Sequence, residues 1–184
     1  MKVTYKIDSV FNQIADALWL PILDSGHLIG VQEGDFPEYW KSDCIKDLLR
    51  YKPLSCGDRT FSFQPMNSRV NFQRFIVTSV YPTYPDFRNA FFLGLQHANN
   101  SKMKKVIIQN PTYLDKVTCR DYFLGIYDFN KKFPDAKIEE LSFVGWRDNI
   151  STCQDVQKYI NDGIDRIGDE IPYKVKVLRK MSLE

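Results

Sequence analysis

The eight residues Asp24-Ser25-Gly26-His27-Leu28-Ile29-Gly30-Val31 combine the residue types most able to do chemistry in this chain. Glycine-bearing loops let backbone N–H groups approach an anion, and Ser25, Gly26, Gly30 and Val31 are the candidate donors to a phosphate. His27 could serve as an acid/base group or a phosphate contact, with Asp24 beside it. The plainer alternative is a surface connection carrying a solvated histidine. Elsewhere, no Gly-x-Ser-x-Gly or His-Glu-x-x-His pattern occurs. Cys56-Gly57-Asp58-Arg59 has a thiol but no partner base that spacing can supply, and Cys119-Arg120 is isolated. Cys44, Cys56, Cys119 and Cys153 show no Cys-x-x-Cys or close Cys/His spacing. That disfavours zinc and points to reduced thiols in a cytoplasmic protein, with no metal or cofactor.

The glycine loop follows the segment that must position it. Lys2 to Ile7 alternates polar and apolar residues, as a half-buried strand does, and Asp8 ends it. Ala15 to Leu23 is nearly all apolar and reads as a strand buried on both faces, with Pro21 marking an irregular end. A loop at the end of such a strand is where α/β proteins hold ligands.

Downstream, Ser42 to Tyr51 reads as a helix with Ile45, Leu48 and Leu49 as its apolar stripe. Thr60 to Gln64 is a short strand. Gln73 to Tyr81 carries the strongest β signal. Asp86 caps a helix whose Phe87, Ala90, Phe91, Leu95 and Ala98 share a face, and Asn99-Asn100 end it. Lys105 to Gln109 is a buried strand. Thr118 or Asp121 is the expected cap of the next helix, with Tyr122, Ile126, Phe129 and Phe133 on one face and Pro134 beyond it. Ile138 to Trp146 is a strand. Ser151 to Gln154 opens a helix striped by Cys153, Val156, Ile160, Ile164 and Ile167, and Tyr173 to Leu178 adds an edge strand. Strand–helix alternation predicts a three-layer α/β/α sandwich around a mixed, largely parallel sheet, with Phe75–Tyr81 and Val106–Gln109 in its interior.

With 184 residues, one domain over 1–182 is expected, with Leu183-Glu184 set apart as a tail. At 43% hydrophobic residues there is material for one core, and a net charge of +2 does not call for DNA or RNA. Leu18 to Leu23 is too short to cross a membrane. Oligomeric state is not readable from these features.

In order along the chain, several of these segments resemble the macro domain, the ADP-ribose-binding α/β module. Asp8, Asp16-Ala17-Leu18 and Ser25-Gly26…Gly30-Val31 are similar to its opening strand, its Asp-Ala-Ile-Val strand and its glycine-rich loop. Phe75 to Pro82 resembles its strand ending in Val-Gly-Pro. The resemblance implies that Asp8 accepts a hydrogen bond from the adenine amino group and that Trp146 stacks on adenine. It puts Asn110 and Thr112 at the second phosphate loop. The departures are specific. Ile7 replaces the glycine before the first Asp, and Leu20-Pro21-Ile22-Leu23 replaces the family's asparagine run. The segment from Asn110 to Tyr113 has no glycine. Family hydrolases lean on the asparagine run, so its absence favours binding of ADP-ribose or a related adenine nucleotide over hydrolysis. Two alternatives stay open: an α/β interaction scaffold without a ligand site, and an enzyme on another small-molecule or glycosyl substrate centred on His27 and Asp24.

Overall fold

The computed structural model describes residues 1–8, 10–23, 60–64, 70–80, 86–109, 116–145 and 176–177. Their elements, in chain order, are β1 (Lys2–Ile7), a 3-10 turn (Val10–Asn12), β2 (Ala15–Leu23), β3 (Thr60–Phe63) and β4 (Phe72–Val80). There follow α1 (Phe87–Asn100), β5 (Lys105–Gln109), α2 (Lys116–Lys132), β6 (Glu140–Gly145) and β7 (Lys176–Val177). The strands form one sheet in the order β3-β4-β2-β5-β6-β1-β7. β3 pairs antiparallel with β4, and every other pair is parallel. The sheet is therefore mixed and largely parallel, as expected. β4 lies between β2 and β3 and β5 between β2 and β6, so neither apolar run is at an edge.

Side chains alternate across the pleat, and both faces are buried. One face presents Ala17, Trp19, Ile76, Val106, Ile108, Leu141 and Phe143 to α1 and α2. The other presents Leu18, Leu20, Phe75, Val77, Ile107 and Val144, with Val10 of the 3-10 turn packed among them. α1 is held by the Asp86 cap, whose carboxylate accepts the Asn89 N–H at 2.9 Å. Its predicted face is the buried one: Phe87, Ala90, Phe91, Leu95 and Ala98. Gly94 lets that face reach the sheet, because a Cβ there would overlap the Trp19 indole. Gly125 of α2 lets the two helices approach each other, with the Arg88 carbonyl of α1 2.7 Å from where a Cβ would sit.

Several boundaries differ from expectation. α2 begins at Lys116, so Thr118 and Asp121 lie inside it rather than capping it. A capping residue type alone does not say which turn is first. β6 starts at Glu140, not Ile138. The N–H groups of Glu139 and Glu140 both donate to the Lys104 carbonyl, at 2.8 and 3.0 Å, and Ile138 is buried by core packing ahead of the strand. β2 runs unbroken through Pro21 to Leu23, paired with Thr78 to Val80. Among the described residues its pairing with β5 runs from Ala17 to Trp19. β1 is not half-buried at Thr4: both Val3 and Thr4 are buried, and the Thr4 hydroxyl shares a 2.8 Å hydrogen bond with Ser142 of β6. The edge strand expected over 173–178 is described only as Lys176–Val177. The helices expected over 42–51 and 151–168 lie outside the described residues.

Candidate functional site

Asp8 directly follows β1. Its carboxylate accepts Asn12 Nδ2 on Oδ1 at 3.0 Å and Gln13 Nε2 on Oδ2 at 2.7 Å. Both donors come from the segment that leaves β1 and crosses to the start of β2. That crossover is seven residues long, Asp8 to Ile14, and joins two strands that lie three places apart in the sheet. Val10, buried in the crossover, ties it to the sheet face. The negative charge of Asp8 is thus fixed at the C-terminal end of β1 by amide donors. Asn12 and Gln13 carried no motif in the sequence, and the only signal was their spacing of four and five residues from the carboxylate.

Asp16, in the second matching segment, does something different. It lies at the N-terminal end of β2, the opposite edge of the sheet from Asp8. Its carboxylate accepts the backbone N–H groups of Lys104 and Lys105 at 2.6 and 2.9 Å, and so anchors the entry to β5. Asp16 is a fastening of the scaffold.

At the C-terminal edge, the register pairs Ile7 with Gly145 and Gln109 with Val144, while Leu23 pairs with Val80. The parallel strands β2, β5, β6 and β1 are consecutive neighbours there. Three strand spacings make that edge about 14 Å wide. Leu20 and Pro21, which open the Leu20 to Leu23 run standing in place of the macro family's asparagine run, are buried in β2, and Leu20 belongs to the apolar core. Ser25, Gly26, His27, Gly30, Val31, Asn110, Thr112 and Trp146 lie outside the described residues, as do Asp24, Tyr81, Tyr84 and Tyr113.

His97, in contrast, is a structural residue of α1. Its Nε2 is buried without a hydrogen-bond partner among the described residues, and burial, reinforced by the Arg74 charge, lowers its pKa from the ordinary 6.5. A groove of about 590 Å³ runs between α1 and α2 and is lined by Arg88, Phe92, Asp128 and Lys132 among others. Arg88, Asp128 and Lys132 are engaged within it. Asp128 takes both Arg88 Nε, at 2.5 Å, and Nη2, at 2.8 Å, and raises the guanidinium pKa; the Lys132 ammonium sits 5.2 Å from the Phe92 ring centre. That is a helix–helix seam. Among the described residues no group of three or more His, Cys, Asp or Glu could hold a metal ion, and no helix is long and apolar enough to cross a membrane.

Against solved structures, the chain overlays on the Trypanosoma brucei macrodomain in complex with ADP-ribose with a TM-score of 0.64 at 10% identity, covering 88% of this chain and 68% of that one. The fold is that of a macro domain. The Oceanobacillus iheyensis macrodomain with ADP gives a TM-score of 0.63 at 10% identity, covering 90% of each chain. The macro domain of ganglioside-induced differentiation-associated protein 2 gives 0.59 at 16% identity, covering 86% of this chain and 84% of that one. No protein-family model matches the sequence, and no curated protein does. The macro-like fold survives here with little of the sequence that usually marks it.

Proposed function

We propose that this chain is a divergent macro-like module that binds ADP-ribose or a related adenine nucleotide, without hydrolysing it, at the C-terminal edge of its sheet. The observation that carries the reading is the order of strands at that edge. β2, β5, β6 and β1 are parallel neighbours, and the chain runs from their C-terminal ends directly into Asp24-Ser25-Gly26, Asn110, Trp146 and Asp8. Four segments scattered between residues 8 and 146 thus leave the sheet side by side. Ligands of open α/β sheets bind outside the carboxyl ends of the strands. Asp8 supplies an acceptor for the base amino group, and the Trp146 ring supplies a stacking face. The backbone N–H groups of Ser25, Gly26, Gly30 and Val31 meet phosphate, with Asn110 and Thr112 from the second loop. That two solved macrodomains of this fold hold ADP-ribose and ADP supports the choice of ligand class.

Calorimetry with ADP-ribose, ADP and NAD tests the reading. Removing a stacking face from a base costs about 1–3 kcal/mol, roughly a tenfold to hundredfold loss of affinity. Trp146→Ala should show that loss with the fold retained. Absence of binding by the intact chain at millimolar ligand would refute the proposal and favour the interaction scaffold.

A further inference from the structure

We infer that Asn12 and Gln13 are positioning residues for base selection, acting through Asp8; this rests on the nucleotide reading above. An isolated carboxylate at a strand end rotates about its side-chain bonds and presents its oxygens in many directions. Here each oxygen is tied by its own amide: Oδ1 to Asn12 Nδ2 at 3.0 Å and Oδ2 to Gln13 Nε2 at 2.7 Å. Asn12 belongs to the 3-10 turn, and that turn is pinned to the sheet by Val10, which is 2% exposed. The carboxylate plane is therefore referenced to the sheet rather than to a free side chain. An ionised carboxylate accepts and does not donate. Held in one orientation, it accepts from an exocyclic amino group and repels a carbonyl oxygen at the same place. The preferred ligand is a 6-amino purine, and a 6-oxo purine is disfavoured by an unpaired acceptor facing an acceptor.

Asn12 is exposed and Gln13 half-buried, so truncating either leaves the core intact. ADP and inosine diphosphate differ at the purine 6-position, and their dissociation constants on the full chain give the test. The wild-type chain should prefer ADP by roughly tenfold to a hundredfold, the range for one hydrogen bond to a charged group. In Gln13→Ala and Asn12→Ala that preference should fall several-fold, chiefly through weaker ADP binding, and in the double variant it should approach the ratio measured for Asp8→Ala. Gln13→Glu should lose the preference too, since a second carboxylate cannot donate to the first. A merely structural role would weaken both nucleotides alike and leave the ratio unchanged, and that result would overturn the inference while nucleotide binding stood. Equal wild-type affinity for the two nucleotides would overturn base reading by Asp8 and this inference with it. If neither nucleotide binds, the nucleotide reading itself falls, and the inference falls for that separate reason. Thermal midpoints of each variant identify any that fail to fold, and the remaining single variant then carries the comparison.

Discussion

Gly94→Ala sets two physical effects against each other, and the structure decides the sign. Gly94 is an interior residue of α1, where alanine is favoured over glycine by about 1 kcal/mol. On helix propensity alone the substitution stabilises. Yet a Cβ at Gly94 would overlap Nε1 of Trp19 and lie 2.5 Å from its Cδ1. The indole has nowhere to go. It is 1% exposed, packed edge-on against Phe91 at 4.9 Å and Tyr122 at 5.5 Å, and its Nε1 donates to Thr78 Oγ1 at 3.1 Å. Either α1 lifts from the sheet or the indole turns away from Thr78. Overpacking of a filled core costs about 1–3 kcal/mol, and the lost hydrogen bond adds about 1 kcal/mol. Subtracting the helix gain leaves a net destabilisation of about 1–3 kcal/mol. For a chain of this size that is a fall in melting temperature of roughly 2–12 °C. Urea unfolding followed by far-UV circular dichroism measures it. In a Trp19→Leu background the obstruction is gone, so Gly94→Ala should be neutral or stabilising there, and the double-mutant cycle isolates the contact. A Gly94→Ala protein as stable as wild type or more so would refute the close approach of α1 to β2.

Two further outcomes are expected. His97 has a folded pKa below its ordinary 6.5, so between the two values the unfolded chain takes up the proton that the folded chain refuses. Stability is then full above about 6.5 and declines as pH falls below it; the melting temperature of His97→Gln should fall less than that of wild type between pH 7 and pH 5, and parallel curves would count against the buried, unpaired Nε2. The intact chain should release no ADP-ribose from a modified protein, because the segment that would orient water is the apolar run from Leu20 to Leu23; release that disappears on Asp24→Ala or His27→Ala would restore the enzyme reading.

The strands were legible because their burial is written in their composition. Lys105 to Gln109 and Ala15 to Leu23 have the bounds that apolarity indicated, since a parallel strand covered on both faces has almost no freedom to be polar. Asp86 was legible as a cap for a local reason: its carboxylate needs only the N–H three residues ahead. Local signals failed where a distant group intervened. Ile138 looked like strand and is core, because the Lys104 carbonyl, 34 and more residues away in the chain, takes the N–H groups that follow it. Thr4 looked solvent-facing and is buried, because Ser142 of a neighbouring strand satisfies its hydroxyl.

For the site, residue types nominated the Ser25 to Val31 loop, and the resemblance to the macro family added Asp8, Asn110, Thr112 and Trp146, all as separate candidates. Nothing in a one-dimensional pattern says that the segments carrying them leave one edge of one sheet, since that depends on strand order, and strand order is set by which apolar faces pack together. The tertiary structure also divided two aspartates that look alike in the sequence. Asp8 follows a strand and is held by side-chain amides at the C-terminal edge, whereas Asp16 opens a strand and caps backbone N–H groups at the other. Direction along a parallel strand separates them, and that direction acquires a meaning only once the strands are assembled side by side.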